Sequence, residues 1–76
     1  MRELVALFAR GLVREPDRVR VREHASGERT VLELSVAPGD RGRVIGREGR
    51  TASALRTLVA ALSSRRGASC TLEILD

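Results

Sequence analysis

The chain has 76 residues, with 14 arginines, no lysine, 10 acids and one histidine, for a net charge of +4; 42% of its residues are hydrophobic and 32% charged. A chain of that size builds one small core with little room for an enclosed active site, so a single domain over residues 1–76 is expected. No apolar run approaches the roughly 18 residues of a membrane-spanning helix, Arg2, Glu3 and Arg10 break the N-terminal pattern of a signal peptide, and Cys70, alone, allows neither an internal disulfide nor a cysteine metal cluster; a cytoplasmic location is the expectation.

An amphipathic helix is expected over residues 2–14, where Leu4, Val5, Phe8, Leu12 and Val13 fall on one face. That spacing puts Phe8, the one aromatic residue, in the core. Pro16 and Asp17 close the helix. Residues 18–25 alternate as a half-buried strand does, Val19, Val21 and Ala25 against Arg18, Arg20, Arg22 and His24. Ser26-Gly27-Glu28 then turns the chain into a strand over residues 30–36, with Leu32, Leu34 and Val36 inward and an antiparallel pairing to the first. Pro38 and Gly39 end it, and Asp40 is placed as the N-cap of a short helix reaching about Ile45. After a glycine-containing turn, Leu55, Leu58, Val59 and Leu62 mark a helix over residues 51–64, finished by Arg65-Arg66-Gly67. The last strand, residues 70–75, turns Cys70, Leu72 and Ile74 inward.

The order is αββααβ. Two helices between the second and third strands allow a parallel pair with a right-handed crossover, while the hairpin supplies an antiparallel pair. An α+β domain follows, a three-stranded mixed sheet with helices packed on one face.

The turn carries the functional signal. Gly46-Arg47-Glu48-Gly49 stands between an apolar pair, Val44-Ile45, and a strong helix; glycine lets another molecule's backbone come close, and a helix N-terminus offers N–H groups and partial positive charge to an anion. Charge is concentrated around it. Residues 41–66 hold seven arginines against Glu48 alone, a net of +6, whereas the rest of the chain has seven arginines against nine acids, or −2. Such a patch is an electrostatic footprint for phosphate.

Val44-Ile45-Gly46-Arg47-Glu48-Gly49 resembles the signature of the KH domain, whose GXXG loop clamps about four nucleotides of a single strand by their backbone. The opening Met1-Arg-Glu-Leu-Val, residues 35–46 and Ala54-Leu-Arg-Thr-Leu-Val extend the resemblance, over nearly the whole length, to small single-domain bacterial KH proteins of the KhpA type. It implies the type II KH fold and single-stranded RNA as ligand, gripped by Gly46, Arg47, Glu48, Gly49 and Arg50, with Arg41, Arg43 and Arg56 adding charge. The bases would lie in a groove floored by Val44, Ile45 and the strand over residues 30–36. The resemblance also implies RNA chaperone or post-transcriptional regulatory activity, self-association, pairing with a larger Jag-type KH protein, and a link to cell-wall and cell-shape control. Phosphate contacts set register, not sequence, and an aliphatic groove forgoes aromatic stacking worth roughly 1–3 kcal/mol per base, so weak, weakly selective binding is expected.

Other readings fit less well. A P-loop needs the lysine this chain lacks, and Gly42, Gly46 and Gly49 are misspaced for a dinucleotide fingerprint. His24 faces outward and Cys70 inward without catalytic partners, so no enzyme, cofactor or metal is expected. Two alternatives stay open: a helix-turn-helix over residues 40–64, with Thr51, Ser53, Arg56, Thr57 and Ser63 facing duplex DNA, and a protein-interaction module acting through a partner.

Overall fold

The structure, a computed structural model, describes residues 1–75. Its elements are α1 (Arg2–Leu12), β1 (Arg20–Ser26), β2 (Arg29–Ser35), α2 (Arg41–Ile45), α3 (Arg50–Arg65) and β3 (Ser69–Ile74), with 3-10 turns at Pro16–Arg18, Pro38–Asp40 and Arg47–Gly49. The sheet order is β1-β2-β3. β1 runs antiparallel to β2, Val21 opposite Leu34, and β2 runs parallel to β3, Leu32 opposite Leu72. The expected order, mixed sheet and two-layer arrangement are therefore present, with β2 in the centre.

Alternation explains the sheet half of the core. Leu32 and Leu34 are fully buried on one face of β2, Leu72 stands beside them on β3, and Val19 covers the start of β1. From the helical layer come Val5 and Ala9 of α1, Val44 of α2, and Leu55 and Val59 of α3. The end of α3 is closed as its sequence suggests. Ala68 N–H reaches Ser63 O at 2.9 Å and Gly67 N–H reaches Ser64 O at 3.0 Å, with Gly67 left-handed at φ +72, the paired bonds of a Schellman motif.

Three expectations need correction. Phe8 is not a core residue: it is 45% exposed, Leu12 is 37% and Leu7 66%, because α1 rests on the sheet through Val5 and Ala9, with Met1 and Val13 packed alongside, a narrow stripe at steps of four. Ala25, expected inward, is exposed near the outer end of the hairpin. Asp40 occupies the N-cap position of α2 but makes no capping bond. Its carboxylate instead accepts the N–H groups of Arg14, at 3.1 Å, and Glu15, at 3.0 Å, fixing the chain after α1 to the start of α2.

Candidate nucleic-acid interface

Sequence and backbone agree most closely at Gly46–Gly49. Three of these four residues have positive φ: Gly46 at +79, Glu48 at +56 and Gly49 at +74. The two glycines are required for different reasons. A Cβ on Gly46 would overlap the Thr51 side chain and come within 2.8 Å of its N, so Thr51 occupies the space a side chain would need. A Cβ on Gly49 would meet nothing within 4 Å, and only its left-handed backbone calls for glycine. Glu48 takes the left-handed region without glycine, a conformation uncommon for a non-glycine residue.

Hydrogen bonding limits what the turn can offer an anion. Gly46 N–H is used by Gly42 O at 2.9 Å, Gly49 N–H by Gly46 O at 3.1 Å, and Arg50 N–H by Arg47 O. The remaining amides of the turn, those of Arg47 and Glu48, belong to exposed residues at its tip. With three amides already bonded, the turn has fewer left for an anion than a bare helix N-terminus supplies.

The arginines do not form one cluster. Arg47 is exposed and, among the described residues, makes no hydrogen bond or ion pair, leaving its guanidinium for a ligand. Arg50 Nη2 lies 2.9 Å from Glu48 Oε1, so Glu48 offsets Arg50 and not Arg47. Arg43 Nε stands 3.7 Å from Asp40 Oδ1. Arg41 Nε donates to Leu75 O, just past β3, at 3.1 Å, and Arg56 Nε to Leu72 O of β3 at 3.2 Å. Arg65 and Arg66 are at the far end of α3, about 22 Å from the turn at 1.5 Å per residue.

The groove beside the turn also differs from expectation. Val44 is fully buried and supports the turn from below without facing a ligand. β2 is the central strand, and its inner face is covered by the core. The open edge is that of β3, where Arg41 and Arg56 converge and where Arg56, Glu73, Ile74 and Leu75 line a shallow cleft. Ile45 stays partly exposed. Thr51, as the residue filling the place of a Gly46 side chain, was not apparent from the sequence.

A second feature borders the turn through the same Thr51. Phe8 and Leu12 of α1 face Thr51, Ala54, Leu55 and Leu58 of α3 across a groove of about 280 Å³, and none of these six side chains is charged. His24 Nε2 lies 3.3 Å from Glu33 Oε2 on the outer face of the sheet, as an exposed residue there can, and Cys70 is half-buried at the core edge. Among the described residues no group of His, Cys, Asp or Glu is placed to hold a metal ion, and no helix is long and apolar enough to cross a membrane.

A mixed sheet in the order β1-β2-β3, entered by a helix and crossed by two more with a Gly-x-x-Gly turn between them, defines a KH domain of type II. The family model "KhpA/KhpB, KH domain" matches residues 2–74. The chain is 47% identical over 76 residues to the "RNA-binding protein KhpA" of Halalkalibacterium halodurans, covering all of both chains. Proteins of that name from Clostridium perfringens (43% over 75 residues, 99% of this chain and 100% of the relative) and Aquifex aeolicus (42% over 76 residues, 100% and 96%) are similar to it as well. The chain belongs to the KhpA/KhpB KH-domain family, which is a family of binding proteins and not of enzymes. No solved structure matches it. Family membership sets aside the helix-turn-helix reading, as does an α2 of only five residues.

Proposed function

We propose that residues 1–76 act as one KH domain that binds single-stranded RNA through Gly46–Gly49. The observation that carries this reading is the exposed turn itself: a tip at Arg47 and Glu48 just before α3, a left-handed backbone with no side chain at either glycine, and Arg47 uncommitted there. Successive phosphates would sit on the Arg47 and Glu48 amides with Arg47 and Arg50 above them. Bases would turn toward the β3 edge, over Ile45, Ile74 and Leu75, with Arg41 and Arg56 at the sides. That cleft is aliphatic, and Phe8 lies elsewhere, so affinity and selectivity are low.

Membership in a family whose relatives bear the name RNA-binding protein supports the same reading. We place the protein in the cytoplasm as an RNA chaperone or post-transcriptional regulator, tied to cell-wall and cell-shape control. Self-association and pairing with a larger Jag-type KH protein use the uncharged α1–α3 groove, whose Phe8 and Leu12, like the nearby Leu7, are exposed apolar side chains.

Replacing Arg47 and Glu48 together by Asp tests the clamp. Asp tolerates the left-handed position 48, so the circular dichroism spectrum and melting stay unchanged while RNA binding is lost; an unaltered affinity removes the turn from the mechanism. Binding by the parent chain weakens with salt at about −0.7 in log-log slope per phosphate contacted.

A further inference from the structure

A cleft lined by three arginines lies away from the turn, at the opposite edge of the sheet. It has a volume of about 350 Å³ between α1 and β1 and is lined by Arg2, Glu3, Ala6, Arg10, Val19, Arg20 and Val21. Its shape follows from the helical period. Arg2, Ala6 and Arg10 stand one turn apart on one stripe of α1, with the small Ala6 leaving space between two arginines. Val19 and Val21 form an apolar floor from the neighbouring strand.

The charges in this cleft are not equivalent. Glu3 is already matched: its carboxylate lies 3.8 Å from Arg2 Nη2 and 3.9 Å from the N-terminal ammonium. A backbone hydrogen bond first, then these two cations, hold its pKa below the ordinary carboxylate value. Arg10 makes no hydrogen bond or ion pair among the described residues. Arg20 is oriented by its own backbone: Nη1 donates to Asp17 O at 2.8 Å and to Val19 O at 2.9 Å. With Nη1 held, its Nε and Nη2 are free to form the planar fork that matches two phosphate oxygens. An uncommitted arginine and a pre-oriented one thus line one cleft with an apolar floor, an arrangement suited to a tetrahedral oxyanion.

We propose that this α1–β1 cleft is a second phosphate site, and that it takes a backbone phosphate of RNA lying outside the clamp. The proposal rests on the reading of the Gly46–Gly49 turn as an RNA clamp. β1 and β3 are opposite edges of the sheet, so an RNA on the β3 side must pass around the molecule, or a second strand must arrive, to reach Arg10 and Arg20. The chain then holds two stretches of RNA at once. Bivalence of this kind raises the effective concentration of one stretch near the other.

The test uses the full chain and two oligouridines, one of about five nucleotides, enough for a clamp that takes four, and one of about twenty. Arg10→Gln with Arg20→Gln removes both charges, and Arg10→Gln alone keeps the Arg20 backbone bonds if the double variant melts early. The expected result is a loss of about fivefold in affinity for the long strand and a salt slope shallower by about 0.7 per lost phosphate, with short-strand binding unchanged. In NMR titrations at one equivalent, the Arg10 and Arg20 Nε–H signals move with the long strand only, whereas the Arg47 and Glu48 amides move with both.

Equal long-strand affinity in parent and variant overturns the second site while leaving the clamp intact. Movement of the arginine signals with inorganic phosphate but not with the long strand also overturns it, making a free anion the ligand. If the short strand fails to bind the parent chain, it is the clamp that fails. That outcome is read separately, from the amides of Arg47 and Glu48.

Discussion

The turn at Gly46–Gly49 and the groove between α1 and α3 meet at Thr51, yet they are built on opposite principles. The turn is polar, exposed and conformationally unusual, and what it offers is backbone. The groove is uncharged, built of regular helix, and what it offers is apolar side chain. A surface made of backbone depends on a few residues that must have no side chain. A surface made of side chains tolerates exchange of one apolar group for another of similar volume. The two regions should therefore respond very differently to substitution.

The sharpest contrast lies inside the turn. Gly46→Ala places a Cβ against Thr51 and strains a left-handed backbone, and should cost about 3 kcal/mol in urea unfolding as well as RNA binding. Gly49→Ala meets open space and carries the backbone strain alone, about 1 kcal/mol. Equal losses at the two positions would break the distinction.

Asp40 binds the two regions together, since it holds the chain after α1 to the start of α2. Asp40→Ala leaves the amides of Arg14 and Glu15 without their acceptor and releases Arg43, for a loss of about 2 kcal/mol in the same measurement. Arg14 and Glu15 amides that stay as protected in hydrogen exchange as in the parent chain would show that the carboxylate is not what holds them.

The smallest effect on stability belongs to the groove. Phe8→Ser removes a half-exposed ring and should change unfolding by no more than about 0.5 kcal/mol, while lowering the apparent mass in sedimentation if the groove joins two copies. A large stability loss would mean that Phe8 is packed more tightly than its exposure indicates.

Much of this was legible from residue order because the signals are local. Alternation located the strands, the Leu55-to-Leu62 spacing located α3, Gly67 marked its end, and Gly46-x-x-Gly49 announced the turn. Phe8 was not legible, since an amphipathic stripe shows which residues are apolar but not how many of them a neighbouring layer can cover. Arg41 and Arg56 illustrate the same limit: near the turn in sequence, they bond to the carbonyls of Leu75, just past β3, and of Leu72 in β3.

Order of elements, most strand faces and the backbone demands of the turn follow from sequence alone, because each depends on residues within a few positions of one another. The tertiary structure decided the rest. It made β3 and not β2 the edge beside the turn, buried Val44, gave Glu48 to Arg50, turned the Asp40 carboxylate back on α1, and brought Arg10 and Arg20 to one cleft. Each of those outcomes joins groups through space after the chain has closed, and a carboxylate or guanidinium pairs with whatever donor or acceptor that closure brings within about 3 Å.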